Sequence, residues 1–134
     1  MIAIDTNILV YAFDSAYPAK REICKKIINE IFNGEKQGVV TNQILAEFCV
    51  VVTKKVEKPL SKEDACSIVG AILSSENWKV LTYTGETVMH AIMGTKPFWD
   101  ALIIETLKQH GVSTIVTENT KHFEYSGIKV IEVF

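Results

Sequence analysis

The chain has 134 residues, the size of one compact domain. With 48% hydrophobic and 22% charged residues it is too apolar for a disordered polymer. A formal net charge of -2 excludes a protein that grips nucleic acid by bulk positive charge alone, so any such contact needs local basic residues and a cation to offset the acids.

Ile2 to Asp5 is a short apolar run ending in an acid and reads as a buried strand. Thr6 to Phe13 follows as a helix, stopped before Pro18. Ala19 to Asn33 is a second helix, with Ile23, Cys24, Ile27, Ile28 and Ile31 as its inward stripe and Gly34 past its end. Gly38 to Thr41 is a strand, and Thr41 or Asn42 can cap the helix from about Gln43 to Lys55. Ser61 opens a helix that runs to about Ser75, with Asp64 near a capping-box position. Lys79 to Thr82 is a strand, Gly85 to Met93 a helix and Phe98 to His110 another, with Gly111 as its cap. Ser113 to Thr117 and Lys129 to Val133 are the last strands, joined by a loop and turn over Glu118 to Gly127. Strands alternating with helices predict an α/β domain with a mostly parallel sheet, and no repeat or linker divides residues 1–134.

Cys24, Cys49 and Cys66 are odd in number, form no Cys-x-x-Cys pair and lie in apolar or helical stretches, so they read as reduced, buried thiols. No apolar run reaches membrane-spanning length, and the N-terminus lacks the pattern of a secretory signal. The expectation is a soluble cytoplasmic protein with no membrane partner.

In open α/β sheets, ligands bind outside the carboxyl ends of the strands. The acids collect there. Asp5 ends the first strand, and Glu47 lies in the second turn of the helix after the second strand. Asp100 lies in the first turn of the helix before the fourth strand, and Glu118 and Asn119 follow that strand directly. Glu47 and Asp100 have apolar neighbours in sequence, and a buried carboxylate is costly unless it is paired or bound to a metal. Each acid also has an ordinary structural explanation. Asp5 suits a helix cap, Glu47 a solvated edge, Asp100 a first-turn acid facing the helix dipole, and Glu118 a loop. Their joint placement at one sheet edge favours a common site. Clustered carboxylates suit Mg²⁺ or Mn²⁺, which can activate water for attack on a phosphodiester.

The same residues carry a family resemblance. Asp5-Thr6-Asn7-Ile8-Leu9-Val10-Tyr11-Ala12, Thr41-Asn42-Gln43-Ile44-Leu45-Ala46-Glu47-Phe48, Trp99-Asp100-Ala101-Leu102-Ile103 and Thr117-Glu118-Asn119-Thr120-Lys121-His122-Phe123 resemble the four ordered motifs of PIN-domain proteins, and Gly127 to Ile131 fits their close. The resemblance spans essentially the whole chain. It implies a three-layer α/β/α sandwich around a parallel sheet and a Mg²⁺- or Mn²⁺-dependent ribonuclease. At this size it implies a VapC-like toxin restrained by a cognate antitoxin and commonly dimeric. Mapped onto this sequence, it implies Asp5, Glu47 and Asp100 as catalytic metal ligands, with Glu118 or Asn119 completing the shell. Thr6 and Thr117 would support the carboxylates or the attacking water. The chain departs from the family at Asn119, where many members carry aspartate. That neutral ligand leaves open an alternative, a catalytically weakened PIN domain that binds RNA or protein.

Other residues point elsewhere. Asp5-Thr6-Asn7 is similar to the opening of haloacid dehalogenase-like phosphatases, but Asn7 stands where the second acid is required and Leu9 at the threonine position. His90, His110 and His122 show no metal-ligand spacing and read as surface or helix-end residues. Lys20, Arg21, Lys54 and Lys55 are candidates for guiding RNA. Phe98 and Trp99 read as packing at a helix start, with base stacking as the alternative.

Overall fold

The computed structural model describes all residues, Met1 to Phe134. In chain order the elements are β1 (Ile2–Ile4), α1 (Thr6–Tyr11), α2 (Pro18–Phe32), β2 (Gly38–Thr41), α3 (Asn42–Lys54), α4 (Lys62–Ser74), β3 (Trp78–Leu81), α5 (Gly85–Ile92), α6 (Phe98–Gln109), β4 (Thr114–Thr117) and β5 (Lys129–Glu132). A 3-10 turn over Thr120–Phe123 lies between the last two strands, inside the stretch expected to be loop and turn.

The five strands form one sheet in the order β3-β2-β1-β4-β5, and every pairing is parallel. Parallel neighbours need crossover connections, which the helices supply while covering the sheet as the outer layers of an α/β/α sandwich. Burial follows position. All of β2 and the last three residues of β4 are buried, whereas three of the four residues of edge strand β5 are exposed. The main core packs β1, β2 and β4 against α2, α3 and α6, with Phe48, Ile4, Ile44, Leu107 and Ile115 fully enclosed. A smaller cluster of Ala91, Ala101 and Leu102 joins α5 to α6.

Local chemistry explains the boundaries. The Thr41 hydroxyl accepts from the Ile44 amide at 3.1 Å and starts α3, and the Ser61 hydroxyl accepts from the Asp64 amide at 3.1 Å and starts α4. Pro18 occupies the first turn of α2, where its missing N–H costs nothing. Gly34, at φ +81°, takes the left-handed conformation that ends α2. The expectation of three buried thiols needs correction. Cys24 is buried, Cys49 half-buried and Cys66 exposed, because Cys66 falls on the outer face of α4; all three are free. No helix is long and apolar enough to cross a membrane.

The sheet order places the site. From β1 the chain steps outward through β2 to β3, then returns to the other side of β1 for β4. The order therefore reverses between β1 and β4, which opens a crevice at their carboxyl ends. Ile4 pairs with Val116, and the Asp5 amide donates to the Val116 carbonyl at 3.0 Å, so Asp5 and Thr117 emerge side by side.

Gly38 tests the packing behind this edge. A Cβ there would lie 2.8 Å from Ile31 Cδ1 and Cγ2 and 2.9 Å from Trp78 Cε3. Gly38→Ala is expected to lower stability by about 1–3 kcal/mol through overpacking, read in urea as a lower midpoint with an unchanged slope.

Candidate active site

A cleft of about 760 Å³ opens at the carboxyl edge of the sheet, and Asp5, Glu47, Asp100 and Asn119 all line it. Asp5 is 7% exposed. It does cap α1, Oδ1 accepting from the Thr6 amide at 2.8 Å. Its Oδ2 accepts from the Thr117 hydroxyl at 2.7 Å and from Asn7 Nδ2 at 3.4 Å. The capping and site readings of Asp5 are therefore compatible.

Glu47 is half-buried and held at both oxygens. The Thr6 hydroxyl donates to Oε2 at 3.0 Å, and Gln43 Nε2, one helical turn earlier on α3, donates to Oε1 at 2.8 Å. Gln43 also donates to the Trp99 carbonyl at 3.1 Å, which ties α3 to the start of α6 where Asp100 sits. Thr6 and Thr117, expected as supports, both hydrogen-bond the carboxylates. Asn7 and Gln43 are supports that the sequence does not single out. Asn7 bridges Asp5, Thr117 and the Glu118 amide, and a single Asn or Gln among apolar residues has no periodicity that would mark it.

Glu118 does not line the cleft with the other acids. Its carboxylate is paired with Lys20 at 2.5 Å. Burial alone would raise the pKa of Glu118, but the hydrogen bonds from Lys20 and Tyr11 and the Lys20 charge outweigh it and hold the group below its usual range. Lys20 is correspondingly not free to guide a ligand. Its ammonium also lies 4.7 Å from the Tyr11 ring centroid and 4.9 Å from that of Phe134. Of the four basic residues expected to face RNA, only Lys55 lines the cleft. His122, expected at the surface, is exposed and also lines the cleft, with Nδ1 3.4 Å from Asp100 Oδ1. Trp99 is 63% exposed on the rim, more open than packing at a helix start required.

The electrostatics are unbalanced. Burial pushes the Asp5 carboxyl above its ordinary range; the Thr117 and Thr6 hydrogen bonds and His122 pull it down, and the neighbouring Glu47 charge pushes it up. Every hydrogen-bond donor to Asp5 is neutral, and neither Asp5 nor Glu47 has a salt-bridge partner. Gln43 Oε1 is a buried acceptor without a donor in the same cleft. No three acidic, histidine or cysteine side chains stand close enough to hold one ion as arranged. The donor set of carboxylates and an amide carbonyl nonetheless fits a hard divalent cation, and the uncompensated charge of Asp5 is what such an ion would offset.

The raised pKa of Asp5 has a signed consequence. The folded chain binds this proton more readily than the unfolded one. Asp5 therefore lowers stability above its folded pKa, and that loss fades as pH falls toward the ordinary value of 3.8. Without divalent cations, Asp5→Asn is expected to melt above wild type at pH 7, with the gap closing in acid; thermal unfolding across pH reads both.

Comparison with known proteins agrees with this architecture. No curated protein matches the chain in sequence. Among solved structures, VapC20 of Mycobacterium tuberculosis, a toxin that cleaves the sarcin–ricin loop, superposes with a TM-score of 0.69 at 13% identity, over 96% of this chain and 98% of that one. A toxin–antitoxin complex from Klebsiella pneumoniae gives 0.68 at 17% identity over 100% and 98%. VapBC2 of Rickettsia felis, bound to a fragment of its promoter DNA, gives 0.64 at 18% over 98% of each chain. At these identities the likeness is one of fold. The model of the PIN domain matches residues 2–128, and with that span, the parallel sheet and the acids at its switch point, the chain belongs to the PIN-domain family.

Proposed function

We propose that this protein is a divalent-metal-dependent endoribonuclease and the toxin of a toxin–antitoxin pair. The observation that carries the reading is Asp5, a buried carboxylate without a cationic partner, facing a cleft shared with Glu47 and Asp100. Membership of a nuclease family supports the same chemistry.

Asp5, Glu47 and Asp100 are assigned as the metal-binding and catalytic carboxylates, with Asn119 contributing its carbonyl. Bound there, Mg²⁺ or Mn²⁺ supplies charge neutralisation, lowers the pKa of the attacking water and stabilises the charge that develops on the phosphodiester. The rest falls to the protein. Thr117 fixes one face of Asp5, while Thr6 and Gln43 fix both oxygens of Glu47, so the acids are oriented before a substrate arrives. Trp99 on the rim offers a stacking face for an unpaired base, and Lys55 offers a cation for phosphate. Glu118 acts indirectly, by holding Lys20 beside Tyr11.

The partners follow from the surface and the relatives. Met89, Ile92 and Met93 expose apolar side chains on α5 and just beyond it, a face suited to burial against an antitoxin or a second copy of the chain. Relatives of the same fold are found in toxin–antitoxin complexes, and three free thiols accord with a reducing, cytoplasmic compartment.

The alternative, a PIN domain that binds without cutting, is favoured by the neutral Asn119 and by the open spacing of the acids. Cleavage of single-stranded RNA with Mg²⁺, Mn²⁺ or EDTA separates the two. The nuclease reading expects metal-dependent cutting that Asp5→Asn or Asp100→Asn reduces by about 100-fold or more. Glu118→Gln, outside the cleft, is expected to cost much less. Metal-independent cutting, or full activity in both aspartate variants, would sink the assignment.

A further inference from the structure

We infer that Asp14 and Tyr17 form a base-reading subsite of the cleft, and that the base it selects is guanine in a single-stranded stretch of RNA. The inference rests on the ribonuclease reading above and names what that site recognises beside the scissile bond. Both residues line the same cleft as the acids, from the turn between α1 and α2. The Tyr17 amide donates to the Asp14 carbonyl at 3.3 Å, which closes that turn and sets the two side chains on one short piece of backbone. Asp5 and this turn stand at opposite ends of α1, a helix of six residues and so about 9 Å long. The base read there belongs to a nucleotide further along the strand, not to the reacting phosphate.

Asp14 is 4% exposed, yet the fold uses little of its carboxylate. Oδ1 accepts from the Ala16 amide at 3.0 Å, Oδ2 accepts no hydrogen bond, and no cation pairs with the group. A buried carboxylate without a partner is costly, and in a cleft that takes RNA it repels phosphate. An N–H donor suits it, and the N–H donors of RNA are on the bases. Guanine presents adjacent N1–H and N2–H donors, which match a carboxylate. Uracil offers one imino N–H, whereas adenine and cytosine set their amino group beside an acceptor. Tyr17 supplies the second element. Its ring is 51% exposed and is held by an edge contact to Tyr11, with centroids 5.6 Å apart and planes at 78°, and by Pro18 next in the chain. A fixed, exposed ring in a cleft gives an unpaired base a face to stack on. Asp14 distinguishes the bases, and Tyr17 holds any of them.

Uridine hexamers carrying one central guanine, inosine, adenine, cytosine or uracil test the subsite. Affinity is read by fluorescence anisotropy in EDTA, so that metal-dependent cutting is stopped. Wild type is expected to bind the guanine hexamer about tenfold or more tighter than the all-uridine one. Inosine, which lacks the N2 amino group, should lose most of that gain. Asp14→Asn keeps an oxygen for the Ala16 amide and should erase the guanine preference without lowering affinity for the all-uridine hexamer. Tyr17→Ala should weaken every hexamer about tenfold, and Tyr17→Phe should bind as wild type does. Tyr17 is exposed, so its variants test the subsite even where Asp14→Asn lowers the melting temperature. No binding or equal affinity for all the hexamers in wild type, a guanine preference that survives Asp14→Asn, or unchanged binding in Tyr17→Ala overturns the subsite. Cutting of a mixed-sequence RNA with Mg²⁺ or Mn²⁺, measured alongside, keeps the two readings apart. Metal-dependent cutting without base preference overturns the subsite alone, and neither binding nor cutting overturns both.

Discussion

The hydrogen bond from the Thr117 hydroxyl to Asp5 Oδ2, 2.7 Å long, is the contact on which the rest of the site depends. It joins the ends of β1 and β4 at the point where the strand order reverses. Together with the Thr6 amide it gives a nearly buried carboxylate enough hydrogen bonding to stay in place without a counter-charge. Thr117 also accepts from the Asn119 amide at 3.0 Å, so one hydroxyl both orients Asp5 and sets the start of the loop that carries His122.

From that anchor the support spreads through neutral groups. Asn7 ties α1 to β4, Thr6 ties α1 to α3, and Gln43 ties α3 to α6. Four elements are thus connected around the cleft by amides and hydroxyls rather than by ion pairs. This has a physical logic for a site proposed to take a cation: neutral donors position the carboxylates without neutralising them, whereas an internal lysine would compete for the same oxygens. The chain's lysine near this edge, Lys20, is held apart by Glu118 and by the faces of Tyr11 and Phe134. One acid is consumed in keeping that ammonium away from the others.

Much of the fold is legible in the amino-acid sequence. Strand β2 and the Thr41 and Ser61 caps fall where turn chemistry and apolar runs place them, because those signals are local: a hydroxyl and an amide three residues apart, or a run of β-branched residues. Asp5, Glu47 and Asp100 can be gathered at one sheet edge because strand ends and first helical turns share that edge in any parallel α/β sheet. The neighbours of Glu118 and His122 are not legible in the same way: both lie just past β4, and the pairing of Glu118 with Lys20 and the position of His122 beside Asp100 are set by contacts between distant parts of the chain, about which sequence adjacency carries no information. The exposure of Cys66 is similar in kind, since a helix buries only part of its circumference.

The amino-acid sequence by itself determined the alternation of strand and helix, the parallel α/β class and the three acids led by Asp5, since each follows from residue type and spacing along the chain. Only the tertiary structure decided the strand order and hence the crevice, the bridging of Asn7 and Gln43, the removal of Glu118 by Lys20 and the arrival of His122 beside Asp100. Those depend on contacts between residues far apart in sequence: Glu118 and Lys20 are 98 positions apart, Thr117 and Asp5 112. No local pattern encodes such distances, and they become defined only when the sheet forms and its crossovers pack.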